Sequence, residues 1–124
     1  MGSRDIKKQL LPLLASGDAD RALEQVSTLD RRKVLAPLFS FLSRPDPLVK
    51  WTAVTCMGAV TENLARESME AGRVVLRRLM WMLSEESGGI GWGAPEAMGE
   101  ILACSESLAG EFSPLLISLA RQGE

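Results

Sequence analysis

The sequence predicts an all-α protein in which about seven helices form three helical pairs, stacked as a right-handed α–α superhelix within a single domain. Apolar residues recur at spacings of three and four along the chain, which is the helical period. No segment alternates usefully with the period of two that is typical of strands, and β-branched residues are sparse. The chain also repeats itself after 41 residues, and its 124 residues suffice for one domain with a hydrophobic core.

Apolar stripes, capping residues and helix breakers place the individual helices along the chain. The expected spans are about 4–15, 19–29, 30–42, 47–63, 67–83, 92–103 and 107–121. The Ser-Gly-Asp run at 16–18 ends the first helix and supplies a cap for the second. Asp30 is suited to cap the third helix, in which Pro37 should produce a kink. The pair Asp46–Pro47 starts the fourth helix with a cap and a proline at the first helical position.

The repeat aligns Leu42–Val60 with Leu83–Ile101 without a gap. Identical residues stand at Leu42/Leu83, Ser43/Ser84, Trp51/Trp92, Ala53/Ala94, Met57/Met98 and Gly58/Gly99. A period of about 40 residues that contains two helices is expected of HEAT and armadillo arrays. The expected units cover about 4–29, 30–64 and 66–104, and the helix at 107–121 then acts as a terminal cap.

The fourth helix carries Asp46–Pro47, Val49–Lys50, Ala53 and Met57–Gly58, which resemble the second-helix signature of the HEAT-like repeat family, with lysine in place of arginine. In the second copy the run 87–91 replaces the cap and the Val-Arg dipeptide of that signature. The resemblance implies an armadillo-type α-solenoid, in which the second helices line the concave surface. Such repeats are specific as a structure but serve many functions.

Composition excludes several kinds of chemistry. The chain has no histidine, which excludes His-ligated zinc, triads that use histidine and imidazole acid–base work. Cys56 and Cys104 are isolated, so we expect buried reduced thiols, with a disulfide or redox pair as the alternative. No apolar run approaches the roughly 18 residues of a membrane span, and residues 1–9 lack the apolar stretch of a signal peptide. We expect a cytoplasmic protein with no catalytic residues, no metal and no cofactor.

The net charge of −2 is unevenly distributed. No lysine or arginine stands between Arg78 and Arg121, where glutamates are frequent, and basic residues occur earlier, at 31–33 and at Arg73, Arg77 and Arg78. An acidic second half makes the chain a poor general nucleic-acid binder. We interpret the arginines at 73–78 as solvated surface, and contact with an acidic partner or with the acidic half of another copy is the alternative.

Two further features of the second half admit more than one interpretation. Glu96 and Glu100 lie near one face of the sixth helix, which we interpret as a solvated acidic face, with a divalent-ion or acid–base pair as the alternative. The glycine-rich run 84–91 is expected to be an inter-helix loop. Partner contact there, or a phosphate cradle over 88–93 formed by backbone amides before a helix, are the alternatives.

A helical projection of the fourth helix separates a core stripe from an opposite side that holds Trp51 and Gly58. The candidate partner-binding residues are Trp51, Thr55, Gly58, Trp92, Pro95, Glu96 and Gly99. Trp51 and Trp92 either pack between consecutive repeats or form a paired aromatic platform. For Gly58 and Gly99 we favour close helix crossing over a role as the floor of a ligand site.

The leading functional prediction is a non-enzymatic scaffold that binds a protein or peptide on the concave face of its second helices, and self-association is a further expectation. The resemblance also implies two alternatives. One is an enzyme or accessory subunit of the phycobilin-lyase type. The other is a DNA-binding protein similar to the HEAT-like alkylation-repair glycosylases. The acidic second half of this chain does not supply the phosphate contacts that this alternative needs.

Overall fold

The computed structural model describes residues 2–85 and 93–122. Within these ranges the chain forms seven α-helices and no strand, which confirms the predicted all-α fold and helix number. The helices are α1 (Ser3–Ser16), α2 (Ala19–Ser27), α3 (Arg31–Phe41), α4 (Pro47–Glu67), α5 (Met69–Glu85), α6 (Ala94–Cys104) and α7 (Glu106–Gln122). Of the helices so described, none is long and apolar enough to cross a lipid bilayer.

Aspartate caps start α2, α3 and α4, as the sequence predicts. The carboxylates of Asp30 and Asp46 each accept a backbone N–H at 2.9 Å, from Arg32 and Leu48 respectively. Pro47 occupies the first turn of α4. Backbone N–H groups in the first turn have no acceptor within the helix, so the absence of an N–H in proline costs no hydrogen bond there. Each such cap stabilises its helix by about 1 kcal/mol.

The end of α4 differs from the prediction. The helix does not stop near residue 63 but continues to Glu67, because no glycine or proline interrupts residues 59–67. Ser68 alone separates α4 from α5, with an extended backbone (φ −151°, ψ 111°). Its hydroxyl oxygen accepts the backbone N–H of Ala71 at 3.3 Å, so one residue both ends α4 and caps α5.

The longest helix, α4, lies at the centre of the fold and packs against α1, α2, α3, α5 and α6. The stripe predicted to face the core is buried at all five positions: Val49, Ala53, Cys56, Met57 and Val60. Thr52, Val54 and Thr61 are buried as well, because neighbouring helices cover α4 on more than one side. Burying an apolar side chain of this size stabilises the fold by about 2 kcal/mol.

The helices α2, α4 and α6 are neighbours, with α4 between the other two. Contacts between α4 and α6 advance in the same direction along both helices, from Lys50 and Glu96 to Gly58 and Glu100, so the two helices run parallel. The helices α1 and α3 also pack closely, whereas α3 and α5 lack such a close backbone approach.

Candidate functional site

Trp51 lies on the surface of α4, with 53% of its residue area exposed to solvent. Leu48, one turn earlier on the same helix face, is 52% exposed. The interpretation that Trp51 packs between repeats is therefore wrong for this residue. The two side chains form an uncovered apolar patch at the start of α4, a helix in which ten of 21 residues are buried.

Lys50 contacts both the Trp51 ring and a carboxylate of α6. Its Nζ atom lies 5.2 Å from the centroid of the ring and 3.0 Å from Oε2 of Glu96. That oxygen is buried and makes no hydrogen bond of acceptable angle to any described residue. The contact is an ion pair, because Coulomb attraction at this distance does not depend on the hydrogen-bond angle. Both side chains are only about a quarter exposed, at 23% and 26%, so solvent screens the pair partially.

The other predicted site residues differ in how exposed they are. Thr55 is partly buried and donates its hydroxyl to the backbone oxygen of Trp51 at 3.2 Å. Pro95 and Gly99 are exposed on α6, the helix that adjoins α4. Trp92 lies outside the described residues, so the paired aromatic platform stays a prediction.

The two equivalent glycines have opposite surroundings. A Cβ atom at Gly58 would lie 2.5 Å from Cγ and 3.3 Å from the backbone oxygen of Glu100, so Gly58 is a point of close approach between α4 and α6. It is buried and does not belong to the exposed surface. At Gly99, no described atom lies within 4 Å of such a Cβ, and the expectation of a close crossing is wrong there.

The two cysteines are free thiols in different environments. Cys56 is buried as expected, and burial raises the pKa of its thiol to about 12. Cys104 is exposed, which corrects the expectation of a second buried thiol. Its pKa is also raised, first by partial burial and then by the carboxylate of Glu100, to which the thiol donates at 3.7 Å, and by the charge of Glu62.

Cys104 lines a half-open cleft of about 470 Å³ between the end of α4 and the junction of α6 and α7. Glu62, Arg66 and Glu106 also line it, and Arg66 pairs with Glu62 at 2.6 Å. The residues that the structure describes contain no group of three or more acidic, cysteine or histidine side chains suited to hold a metal ion.

We expect iodoacetamide at about pH 8 to alkylate Cys104 in the folded protein and to spare Cys56 until the protein is unfolded in urea. The thiolate is the reactive form, so a raised pKa shifts the rate of Cys104 alkylation towards higher pH. Replacing Glu100 with glutamine removes a negative charge, lowers this pKa and speeds the reaction at pH 8. Mass spectrometry of the labelled peptides measures both rates, and equal labelling of the two folded-state cysteines would contradict the expectation.

The arginines of α5 are mostly paired within the chain. Nε of Arg73 donates to both carboxylate oxygens of Glu111 on α7, at 3.1 and 2.8 Å. Arg77 donates to Glu70 at 2.7 Å, and this hydrogen bond is the main reason that the pKa of Glu70 is lowered. Arg73 therefore contacts the acidic second half of its own chain, which corrects its interpretation as solvated surface.

Two features of these surfaces were not predicted from the sequence: the exposed Leu48 beside Trp51, and the stacking of Arg78 on Phe39. Leu48 could have been found, because Leu48, Trp51 and Thr55 follow the i, i+3, i+7 spacing of one helix face. The stacking of Arg78 on Phe39, with 4.0 Å between the guanidinium carbon and the ring centroid, joins α5 to α3 and has no local sequence signal.

The chain was compared with protein-family models, curated proteins and solved structures. No protein-family model matches the chain, and neither a curated protein nor a solved structure matches it.

Proposed function

We propose that this chain is a non-enzymatic protein- or peptide-binding module, and that the exposed surface of α4 and α6 around Trp51 contacts the partner. The observation that carries the proposal is the 53% exposure of Trp51 on a helix that is otherwise packed on several sides. A half-exposed tryptophan on a rigid helix is the kind of residue that dominates binding energy at protein interfaces.

The contacts around Trp51 support a preorganised anchor. Lys50 lies over the Trp51 ring and pairs with Glu96. The Trp51 side chain therefore loses little conformational freedom when a partner covers it. Leu48 enlarges the apolar area beside the ring, and Pro95 on α6 offers a further exposed and rigid contact. A partner that places an apolar side chain on Trp51 would bury these groups together.

We further propose that the chain is a short HEAT-like array in which α2, α4 and α6 are the second helices of successive units. The 41-residue repeat supports this assignment, because it relates α4 to α6, and these two helices are parallel neighbours. The proposed binding surface would then be the concave side of the array.

The experiment is affinity capture from an extract of the source cells, followed by direct titration of each captured protein. Trp51→Ala is the test variant and Trp81→Ala the matched control, because Trp81 is 62% exposed on a different helix. We expect a partner that is captured by the native protein and by Trp81→Ala, and that binds Trp51→Ala at least about tenfold more weakly. Circular dichroism checks that both variants are folded.

Equal titration curves for the native protein and a folded Trp51→Ala variant would remove the α4–α6 surface as the binding site. Selective loss in Trp81→Ala would assign the partner to α5 instead. A further variant, Glu96→Gln, tests the anchor itself, because it leaves Lys50 without its ion pair and should weaken binding less than the loss of the ring.

A further inference from the structure

A second surface lies on the side of α4 away from Trp51. It is a groove between α3 and α5. It has a volume of about 200 Å³ and is lined by Arg32, Leu35, Leu64, Ala71, Val74 and Val75. The groove exists because α3 and α5 both pack against α4 without a close backbone approach to each other. Its floor is apolar, since Leu64 of α4 and Val75 of α5 lie at its base and are buried.

One face of α5 carries two exposed apolar side chains, Val74 in the lining of this groove and Trp81 beyond it, with Arg77 and Arg78 between them. Val74 is 53% exposed and Trp81, two turns later on the same helix face, is 62% exposed. Exposed apolar side chains next to a concave apolar floor are the usual form of a site that accepts an apolar side chain from a partner.

Two guanidinium groups lie along the direction of the groove, one in its lining and one a helical turn beyond it. Arg32 lines the end near the start of α3, and Arg78 stacks on Phe39 one turn beyond Leu35. Among the described residues, neither arginine forms an ion pair with a carboxylate, in contrast to Arg31, Arg73 and Arg77, which pair with Glu67, Glu111 and Glu70. Their charges are therefore available to an anionic partner.

We propose that this groove binds an acidic amphipathic helix of a partner protein. Arg32 and Phe39, which carries Arg78, are two helical turns apart on α3, or about 10 Å. A helix with carboxylates at positions i and i+7 and an apolar residue at i+3 or i+4 has the same spacing. Its apolar residue enters the groove against Leu35 and Val74, and its carboxylates reach the two arginines.

The chemistry of the groove favours a peptide over the other anionic partners. Nucleic acids need a continuous row of cations along the phosphates, whereas here an apolar floor separates two single charges. An anionic membrane binds apolar and basic groups that protrude from a flat or convex face. The groove between α3 and α5 is concave. This site is independent of the proposed function at Trp51, which lies on α4 beside α6.

The test uses a synthetic helical peptide of about 12 residues, with glutamates at i and i+7 and leucines at i+3 and i+4. Two control peptides replace either the glutamates with glutamine or the leucines with serine. Trp81 reports binding in a Trp51→Phe/Trp92→Phe background, because it is exposed one helical turn beyond Arg78 and its emission shifts to shorter wavelength when a bound peptide covers it.

We expect saturable binding of the acidic peptide that weakens with salt, and at least about tenfold weaker binding of each control peptide. Arg78→Glu and Val74→Asp should each weaken binding about tenfold or more, whereas Lys8→Glu, an equal charge change at an exposed position of α1, should not. A peptide with lysine at the second acidic position should bind Arg78→Glu better than it binds the native protein. Thermal unfolding confirms that each variant is folded.

Three results of the peptide titrations would overturn the proposal. They are the absence of saturable binding up to about millimolar peptide, equal affinity for the acidic and glutamine peptides, and equal loss in Arg78→Glu and Lys8→Glu. Tighter binding of a short DNA duplex or of phosphatidylserine vesicles, lost in Arg78→Glu, would instead assign the arginines to phosphate groups and would also overturn it.

Discussion

Replacing Gly93 with alanine is expected to lower the free energy of unfolding by about 3 kcal/mol. Gly93 caps the start of α6 with a left-handed backbone, φ +85°, which costs an L-residue about 1 kcal/mol. A Cβ atom there would also lie 2.8 Å from the backbone oxygen of Leu42 and 3.1 Å from its Cβ. Because a backbone atom cannot rotate away, α6 must shift from the end of α3, which costs about 2 kcal/mol more.

Gly17 provides the matched control for this substitution. It ends α1 with nearly the same backbone, φ +76°, but the nearest atom to an added Cβ, at 2.9 Å, is Cδ2 at the end of the half-exposed Leu48 side chain. Gly17→Ala should therefore cost only the backbone contribution of about 1 kcal/mol. Urea unfolding followed by circular dichroism measures both variants, and equal losses at the two positions would show that the Leu42 contact is not limiting.

The Gly93 position also connects the fold to the proposed site. It sets where α6 begins, and Glu96 stands in the first turn of that helix, next to Lys50. A shift of α6 would lengthen this ion pair and free the Trp51 ring, so Gly93→Ala should weaken partner binding as well as stability.

Local signals predicted much of this fold because caps and apolar periodicity act within a few residues of one another. Asp30 and Asp46–Pro47 start helices where expected, and the core stripe of α4 is buried at every predicted position. The prediction was wrong where one residue serves two roles. Ser68 ends α4 and caps α5 without a glycine or proline to mark the junction.

The candidate site depended more on contacts between distant segments, which one sequence does not reveal. Helical projection placed Trp51 away from the core, but the uncovered ring and its support by Lys50 and Glu96 depend on how α6 lies beside α4. Likewise, Cys56 and Cys104 both stand among small and apolar neighbours in sequence. Only the position of Cys104 at the edge of a cleft separates it from the buried thiol.

Gly58 and Gly99 stand at equivalent positions of the repeat, yet alanine is expected to have opposite effects at them. In both helices alanine gains about 1 kcal/mol in helix propensity over glycine. At Gly99 no described atom crowds the new Cβ, so Gly99→Ala should stabilise the protein by nearly that amount. At Gly58 the methyl group would meet Cγ and the backbone oxygen of Glu100 and, at 3.2 Å, Sγ of Cys104. Overpacking there costs about 2–3 kcal/mol, so Gly58→Ala should destabilise the protein by about 1–2 kcal/mol.

A double-mutant cycle identifies the cause. Glu100→Ala removes the Cγ atom at 2.5 Å but leaves the backbone oxygen at 3.3 Å, so it should reduce the cost of Gly58→Ala without abolishing it. The same Glu100→Ala change should leave the effect of Gly99→Ala unaltered, because Gly99 faces open space among the described residues. Stabilisation by alanine at both glycines would mean that α4 and α6 do not approach closely at Gly58. Destabilisation at Gly58 that is relieved by Glu100→Ala would confirm that α4 contacts α6 at Gly58, and the surface around Trp51 depends on this contact of the two helices.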